Sequence, residues 1–590
     1  MAAPRVTIRE WDLSTRVPSF PGLYGGIAIP AKKGPVNKPY LVTSETQLLK
    51  TFTPNERVEV GYDLSYYSAL AFLQKSNKLW VVRAAKGAKY GGVFLVKSDS
   101  ALDNYQTPIS LVAPEDYMFG ADATTWAAST SYEVGARVVP TTSNGFYYEC
   151  ITAGTSSDTE PTWPTTIGDT VTDGDVTWVC AGSFDACLLV TGCNEGAWNN
   201  DIGVKIITDP DVVKEEGAFI VEVYKKDGAV VELVESFLCS RVPGAKDGYG
   251  RNIYVEDATE ASNYIRIWDN TAIDSSILPK AQDEILYLAR GDDGDAVTSA
   301  EMIQAIDKLS NPDETPLTVL MDGGWAFPEY QMELYKIAEN RKDCVAILST
   351  PYSAESSSDY VTQITNYRKV DLNADTSYAA LFTPHVKVYD KFNDRFLYVA
   401  PDGYAAAAIS ETAANYEIWF APAGPRRGVL EVLDVRRRFT EGEMDLLYDS
   451  GINPIRFKPG KGIAIWGQKT LLARPSSLDR LNVRLLLIVI EPAIKEALED
   501  FLFEFNDAPT RALITAMIQG YMDGIKARRG VYDYYVVCDE TNNTPEDIDN
   551  NRLNVWLFIK PTKTAEYIKF TTIVTRTGTE FRVAAAALGV

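Results

Sequence analysis

Histidine is almost missing from this sequence, because the 590 residues include one, His385. A Ser-His-Asp triad would have to use that single residue, and zinc sites usually need several histidines or cysteines at short spacing. No G-x-S-x-G, H-E-x-x-H, C-x2-C or phosphate-binding glycine motif accompanies it. His385 is therefore interpreted as a structural polar residue. The sequence predicts neither an enzyme nor a bound cofactor or metal.

Cysteine is also scarce, and the odd total of seven does not fit a disulfide scaffold. Four of the seven lie within residues 150–193: Cys150, Cys180, Cys187 and Cys193. A bond between Cys150 and Cys180, formed after release into an oxidising medium, stays open.

Long apolar runs are absent as well. The longest, Leu485–Ile490, is far too short to span a bilayer, and Met1–Glu10 lacks the apolar stretch of a signal peptide. The chain is therefore expected to fold in a cytoplasm without membrane insertion.

Basic residues are too few to balance the acidic ones. Lys and Arg total 57 against 80 Asp and Glu, so the net charge is −23. This balance argues against general nucleic-acid binding, which needs an excess of positive charge. Aromatic residues, in contrast, are plentiful: 32 Tyr and 11 Trp can bury large areas in cores and interfaces.

The sequence patterns predict a multidomain chain of mixed α/β and α+β class. Six segments are distinguished by composition and periodicity: an N-terminal arm at 1–20, an α/β region at 21–120, an inserted β module at 121–182, a β-rich domain at 183–290, a central α/β domain at 291–460, and a C-terminal domain with a terminal arm at 461–590.

Hydrophobic periodicity predicts individual elements within these segments. The predicted strands include Leu79–Ala84, Leu317–Met321, Cys344–Ser349, Tyr532–Cys538 and Asn554–Ile559. The predicted helices include Ala300–Leu309, Glu329–Asn340, one that ends near Ile490, one that begins at Pro492, and one from Arg511 to Arg529.

Both chain ends carry short strand patterns. The first consists of Arg5, Val6, Thr7, Ile8 and Arg9. The second is Tyr567–Thr575, in which three residues share one face: Ile568, Phe570 and Val574. An isolated terminal strand cannot stay paired alone, so each must join a sheet in its own chain or in a neighbouring copy.

The acidic run Gly291–Asp295 is a candidate calcium site by composition. It lacks the EF-hand spacing and the closing Glu, so a turn between a strand and a helix is the favoured interpretation.

Several long segments, in the same order, resemble the contractile tail sheath family of myoviruses. They are GIAIWGQKT at 462–470, RPSSLDRLNVR at 474–484, YDYYVVCDETNNTP at 532–545 and FIKP at 558–561. Shorter matches lie at 341–347, 399–403 and 41–44. The resemblance covers about 1–100 and 285–583, and it leaves out 121–182.

This resemblance implies a structural virion protein, assembled in the host cytoplasm, that forms homohexameric rings stacked as a helical polymer. It implies an inner domain beside the tail tube, outer β-rich domains, and terminal arms that exchange strands between copies. The implied partners are other copies, the tail tube, baseplate and tail terminator proteins. Contraction would drive the tube through the host envelope for genome delivery.

A basic cluster lies in the last turn of the helix predicted from Arg511 to Arg529: Lys526, Arg528 and Arg529. The family places a basic, tube-facing helix near this point. Positive side chains in the last turn of a helix also stabilise its dipole, so both interpretations stay open.

The inserted module resembles small carbohydrate-binding modules of phage tails and chitinases, through W-x5-Y-x2-G-x2-V from residue 126 and PTWP at 161–164. Its candidate glycan-stacking residues are Trp126, Tyr147 and Trp163. Surface glycans are accordingly a candidate partner, although core packing is favoured for any single Trp. Two further alternatives are the sheath of a bacterial contractile injection system and a glycan-binding adhesin.

Overall fold

The computed structural model describes residues 22–106, 111–568 and 570. The described residues form two compact units: the larger contains those up to Pro492, and the smaller contains those from Ala493 onward. The strands of the larger unit are β1 (Gly25–Pro30), β2 (Pro39–Val42), β3 (Leu79–Ala84), β4 (Gly92–Val96), β5 (Tyr105–Gln106), β6 (Thr124–Thr125), β7 (Ser131–Tyr132), β8 (Arg137–Val139), β9 (Phe146–Thr152), β10 (Gly154–Thr155), β11 (Thr170–Asp173), β12 (Val176–Ser183), β13 (Ala186–Gly192), β14 (Ile202–Ile207), β15 (Ala218–Asp227), β16 (Val230–Ser240), β17 (Ile265–Asp269), β18 (Leu286–Tyr287), β19 (Val319–Met321), β20 (Val345–Ser349), β21 (Ala379–Thr383), β22 (Val386–Asp390), β23 (Arg395–Val399), β24 (Val429–Leu430), β25 (Asp434–Val435), β26 (Ile452–Lys458) and β27 (Gly462–Ile465).

The helices of the larger unit are α1 (Glu45–Phe52), α2 (Asp63–Leu73), α3 (Val255–Thr259), α4 (Ser299–Asp307), α5 (Pro328–Arg341), α6 (Tyr352–Ser356), α7 (Tyr360–Asn366), α8 (Asp402–Asn415), α9 (Glu441–Asp449) and α10 (Leu481–Glu499), which ends in the smaller unit.

A nine-stranded sheet organises the larger unit, in the order β2-β3-β1-β19-β20-β21-β26-β27-β24. The six strands from β3 to β26 run parallel, and antiparallel strands complete both edges. Helices α4 and α5 pack together against β1, β3, β19 and β20, and α2 packs with α8 against the same part of the sheet. The parallel strands are almost continuously apolar because helices cover them.

Two adjacent glycines in β1 allow both helical layers to approach closely. A Cβ on Gly25 would lie 2.6 Å from the ring of Phe72 in α2. A Cβ on Gly26 would lie 2.9 Å from Leu317 and Leu320, beside and within β19, and 3.0 Å from Leu309, which follows α4. Because neighbouring strand residues point to opposite faces, this pair lets helices approach both sides of the sheet.

The chain between β3 and α4 leaves this sheet and builds a lobe of its own. Its two four-stranded sheets have the orders β17-β13-β4-β5 and β16-β15-β14-β18. They enclose a shared core that includes Leu188, Val204, Phe219 and Ile267. Isolated bridges pair Lys86 with Asp295 and Lys89 with Asp292 where the lobe begins and ends.

The inserted module forms a five-stranded sheet, β11-β12-β9-β8-β6, and a small β10-β7 ladder. In sequence the module lies between β4 and β13, which are antiparallel neighbours in the lobe. Where the chain leaves and re-enters the lobe, the N–H of Lys97 donates to the carbonyl of Asp185 at 3.0 Å. The composition change at 121–182 therefore corresponds to a separate small core.

The smaller unit contains α11 (Ala508–Ala527), β28 (Val531–Val537), α12 (Pro545–Asp549) and β29 (Trp556–Pro561). Asp507 caps α11, because its side chain accepts a hydrogen bond from the N–H of Thr510 at 2.9 Å. Strands β28 and β29 are antiparallel, and they form a two-stranded sheet.

Most of the predicted elements named above are confirmed within a few residues, including β3, α4, β19, α5, β20, β28 and β29. The helix boundary at Pro492 is wrong: α10 continues through this residue from Leu481 to Glu499. Proline removes one backbone donor and strains the preceding turn, but flanking helical residues maintain the helix here.

Candidate functional site

The hairpin of β28 and β29 is the most unusual surface of the smaller unit. Its ladder runs from Val531 opposite Pro561 to Val537 opposite Trp556, and no third strand joins it among the residues that the structure describes. Among the described residues, neither outer edge therefore has a strand partner for its backbone N–H and C=O groups. Such edges are templates for strand addition from another segment or another chain.

One face of this hairpin packs on a helix of its own unit. β28 contacts α11, and the hydroxyl of Tyr534 donates to Oδ1 of Asp523 at 2.6 Å. The same hydroxyl lies 3.0 Å from the carbonyl oxygen of Gln519. Burial and the carboxylate of Asp523 raise the pKa of Tyr534 to about 12, so the phenol remains a hydrogen-bond donor. This packing fixes the hairpin to α11.

The other face exposes large aromatic side chains. Tyr535 lies opposite Phe558 in the ladder, and their ring centroids are 6.4 Å apart. Tyr535 is 64% exposed, Phe558 55% and Trp556 53%. Cross-strand aromatic pairs stabilise a sheet, but a solvent-exposed set of this size also indicates an interaction surface.

The predicted terminal strands are only partly within the described residues. Arg5, Val6, Thr7, Ile8, Arg9 and Val574 lie outside them. Ile568 and Phe570 are described, each is 86% exposed, and neither belongs to a strand. Their role in strand exchange stays a prediction.

The basic cluster lies at the C-terminal end of α11, but only partly in the helix. The helix ends at Ala527, so Arg528 is its cap, and Arg529 has a left-handed backbone with φ of 66°. Lys526 pairs with Asp533 of β28 at 2.9 Å and holds the pKa of that carboxyl below its usual range. The prediction that all three residues occupy the last turn is therefore wrong for the two arginines, and a tube-facing role stays a prediction.

The aromatic residues of the inserted module mainly form its core. The indole nitrogens of Trp126 and Trp178 both donate to Oδ2 of Asp173, at 2.8 and 3.1 Å. Trp163 packs on Tyr148 with a centroid distance of 4.3 Å and is partly buried.

Two of the three candidate glycan-stacking residues are not available for stacking. Trp126 is 7% exposed and Tyr147 is 0% exposed. The hydroxyl of Tyr147 lies 2.7 Å from that of Tyr117, and its ring faces Gly120 and Gly182. Burial therefore corrects the prediction for Trp126 and Tyr147, and glycan stacking by Trp163 stays untested.

The side chain of His385 is buried and contacts neighbouring polar and aromatic side chains. Its Nδ1 atom lies 2.8 Å from Oε1 of the fully buried Glu355, and its ring meets Tyr352 edge-on at 5.2 Å. The hydroxyls of Thr350 and Thr383 donate to the same carboxylate. These contacts join the ends of β20 and β21 to β22, as expected for a structural polar residue.

The acidic run Gly291–Asp295 lies at the base of the lobe, where Asp292 and Asp295 form isolated bridges with Lys89 and Lys86. The N–H of Lys89 donates to the carbonyl of Asp292 at 2.9 Å, and Oδ1 of Asp293 accepts from the N–H of Ala197 at 2.8 Å. Over the described ranges, no group of three potential metal ligands is found, and all seven thiols are unpaired. No helix in the described part of the chain is long and apolar enough to cross a bilayer.

Two family models match the second half of the chain. The model of the phage tail sheath protein central domain matches residues 295–471, and that of the phage tail sheath C-terminal domain matches 473–575. The central-domain model covers most of the nine-stranded sheet, namely its strands from β19 onward along the chain. The C-terminal model covers α11 and the β28–β29 hairpin.

Whole-chain comparisons agree with these models. The tail sheath protein of Enterobacteria phage T4 is 26% identical over 664 aligned positions, which cover 98% of each chain. That of Vibrio phage KVP40 is 31% identical over 59% of this chain and 54% of its own length.

The fold is also similar to a solved sheath tail protein from Listeria innocua, with a TM-score of 0.50 at 11% identity, over 92% of this chain and 96% of that one. From these matches, the chain belongs to the phage tail sheath protein family and is a structural subunit of a contractile phage tail rather than an enzyme.

Proposed function

We propose that copies of this subunit polymerise by adding terminal strands of neighbouring copies to the β28–β29 hairpin. The polymer would consist of hexameric rings, stacked helically around a tail tube and bounded by baseplate and terminator proteins. Its contraction would drive the tube through the host envelope. The single observation that supports this proposal is a sheet of two strands with an exposed aromatic face, whose edges pair with no other strand that the structure describes.

An isolated two-stranded hairpin is marginally stable in water, and three or more strands are usually needed. Here α11 covers one face, so the hairpin can persist before assembly. Added strands would supply main-chain hydrogen bonds and cover Tyr535, Trp556 and Phe558. Bonds of this kind tie copies together along a chain segment, so linked copies can rotate without separating.

Contraction of such a polymer needs no nucleotide site. Head-to-tail contacts that do not close generate a helical polymer. If the extended polymer is kinetically trapped and the short form buries more interface, the energy for piercing is stored in packing. This mechanism agrees with a sequence that lacks catalytic motifs.

The proposal is tested with two changes to the full-length subunit. One deletes residues 1–12, and the other replaces both exposed rings of the hairpin, Trp556→Ser with Phe558→Ser. Each variant should remain a soluble monomer by light scattering and should form few or no striated tubes by negative-stain microscopy.

A matched control comes from the larger unit. Tyr389 and Phe396 form a similar exposed cross-strand pair on β22 and β23, with centroids 5.5 Å apart and exposed fractions of 47% and 61%. The double variant Tyr389→Ser with Phe396→Ser should polymerise normally. Normal tubes from both the deletion and the hairpin variant would reject the proposal.

A further inference from the structure

A cleft of about 580 Å³ opens between the start of the nine-stranded sheet and the lobe. One wall consists of the loop and helix that contain Lys33, Lys38 and Lys50, and the other includes the turn between α3 and β17, together with Arg266. The volume lies in the range of small-molecule sites in proteins. None of the sequence motifs or family matches assigns a role to this cleft.

Lys33 is the most unusual residue of the cleft, because its side chain is buried without an acidic partner. The residue is 4% exposed, and Nζ donates to the carbonyl of Lys50 at 3.0 Å. The ammonium lies over the rings of Trp198 and Tyr264, with centroid distances of 4.8 and 5.2 Å. Within the described ranges it forms no ion pair, so two of its three N–H donors lack an acceptor. Burial lowers the pKa of Lys33 accordingly.

The other cations of the cleft add to this positive charge. Lys38 and Lys50 are exposed, and neither forms an ion pair with any residue that the structure describes. Arg266 lies in β17, and among the described residues its Nη1 donates to the backbone carbonyls of Thr259, Ser262 and Ile265 rather than to a carboxylate.

Two carboxylates also line the cleft, Glu115 and Glu260, and both are exposed. Four cations against two anions give a local excess of positive charge in a chain whose net charge is −23. A buried charge without a partner is costly, and an anion that entered the cleft would reduce this cost.

We propose that this cleft binds a small phosphate-bearing solute, with Lys33 at its base and Lys38, Lys50 and Arg266 around it. A small solute fits better than a loop of another copy, because the cleft has a small-molecule volume and the Lys33 ammonium is nearly sealed from solvent. The bound anion would join the 33–50 segment to the lobe.

The test uses the intact monomeric subunit, with inorganic phosphate and pyrophosphate as probes at constant ionic strength. Isothermal titration should show saturable binding, with a rise in the thermal midpoint of unfolding. Lys33→Met should weaken binding about tenfold or more, because a charge-assisted hydrogen bond is lost. The double variant Lys38→Gln with Lys50→Gln changes only exposed side chains, and it should also weaken binding if Lys33→Met fails to fold.

Lys308→Gln is the charge-matched control, because Lys308 is exposed and lies outside the cleft. It should bind both probes like the unmodified subunit. The proposal is overturned if the unmodified subunit shows no saturable binding, or if both cleft variants bind as tightly as the control. It is also overturned if a short poly-glutamate peptide binds and phosphate and pyrophosphate do not.

Discussion

Nε of Arg241 lies 2.7 Å from Oδ1 of Asp269, and the two side chains are sealed from solvent, with exposed fractions of 0% and 2%. The guanidinium also donates to four backbone carbonyls in the segment that follows β17: Asn270, Ile273, Asp274 and Ile277. One side chain therefore holds this segment against the end of β16.

Replacing Arg241 by Leu should lower the free energy of unfolding of the lobe by about 3–5 kcal/mol. The change leaves the Asp269 carboxylate buried without a partner and removes the donors to four carbonyls. Urea unfolding and hydrogen exchange of the 218–278 region would measure the loss. Arg241→Leu with Asp269→Leu should recover part of it, because the uncompensated charge is then gone.

Arg438 provides the comparison for this prediction. It pairs with Asp434 at 3.0 Å, but the two side chains are 61% and 36% exposed. Arg438→Leu should cost no more than about 1 kcal/mol, since solvent screens an exposed pair. Equal losses at both sites would contradict a special role for Arg241.

Stability should fall as pH rises from about 4 to about 8 because of two buried carboxyl groups. Asp322 follows β19, and Asp402 begins α8. Oδ2 of Asp402 accepts hydrogen bonds from Ser68 at 2.6 Å and from the N–H of Gly323 at 2.8 Å. Burial, and next the charge of Asp322, raise the pKa of Asp402 to about 8.

A carboxyl group whose pKa is raised on folding keeps its proton in the folded state at pH values where the unfolded state has already lost it. Stability therefore falls as pH rises from the unfolded-state pKa to the folded-state pKa, and it levels off above that value. The thermal midpoint should therefore fall between about pH 4 and pH 8 and change little above that range. Asp402→Asn keeps an acceptor for Ser68 and Gly323 and cannot ionise, so it should flatten this part of the profile. The exposed control Asp445→Asn should keep the original slope, and an unchanged slope in Asp402→Asn would contradict the assignment.

The carboxylate of Asp173 should control the stability of the inserted module. Asp173→Ala removes the acceptor for the indole N–H groups of Trp126 and Trp178, and each buried donor left unpaired costs about 1–3 kcal/mol. Tryptophan fluorescence and hydrogen exchange should report unfolding of residues 121–183 at a lower temperature. Asp158→Ala, an exposed change in the same module, should have little effect.

Charge reversal after α11 should weaken loading onto tail tubes if the basic cluster faces them. The variant that tests this is Arg528→Glu with Arg529→Glu. Co-sedimentation with purified tubes should drop about tenfold, while sheath-only polymers still form. Lys308→Glu with Arg474→Glu carries the same charge change elsewhere, and a similar drop in that variant would show a general effect of net charge.

Local elements were predictable from the sequence because their signals are local. The apolar run Leu79–Ala84 has the length and composition of a buried strand, and Thr298 with Glu301 forms the capping box that begins α4. Pro492 was misleading because a proline at the start of a helix and one inside a kinked helix give similar patterns.

Long-range features could not be predicted in the same way. β1 lies between β3 and β19, and this order depends on which apolar faces pack together rather than on any motif. Trp126 and Tyr147 illustrate the same limit in the candidate glycan site, since an aromatic residue in a β pattern can face solvent or a core. The signal for the core was Asp173, a single acidic residue near both tryptophans in the fold but far from Trp126 in sequence.

The bridges between Lys86 and Asp295, and the bond from Lys97 to Asp185, show one insertion nested in another. In each case the chain departs and returns at adjacent points, so the sheet beneath is complete without the inserted part. Evolution can lengthen, shorten or replace either insertion while the mechanical scaffold keeps its connectivity. The same two junctions offer an engineer places to graft foreign domains onto every repeat of a contractile polymer.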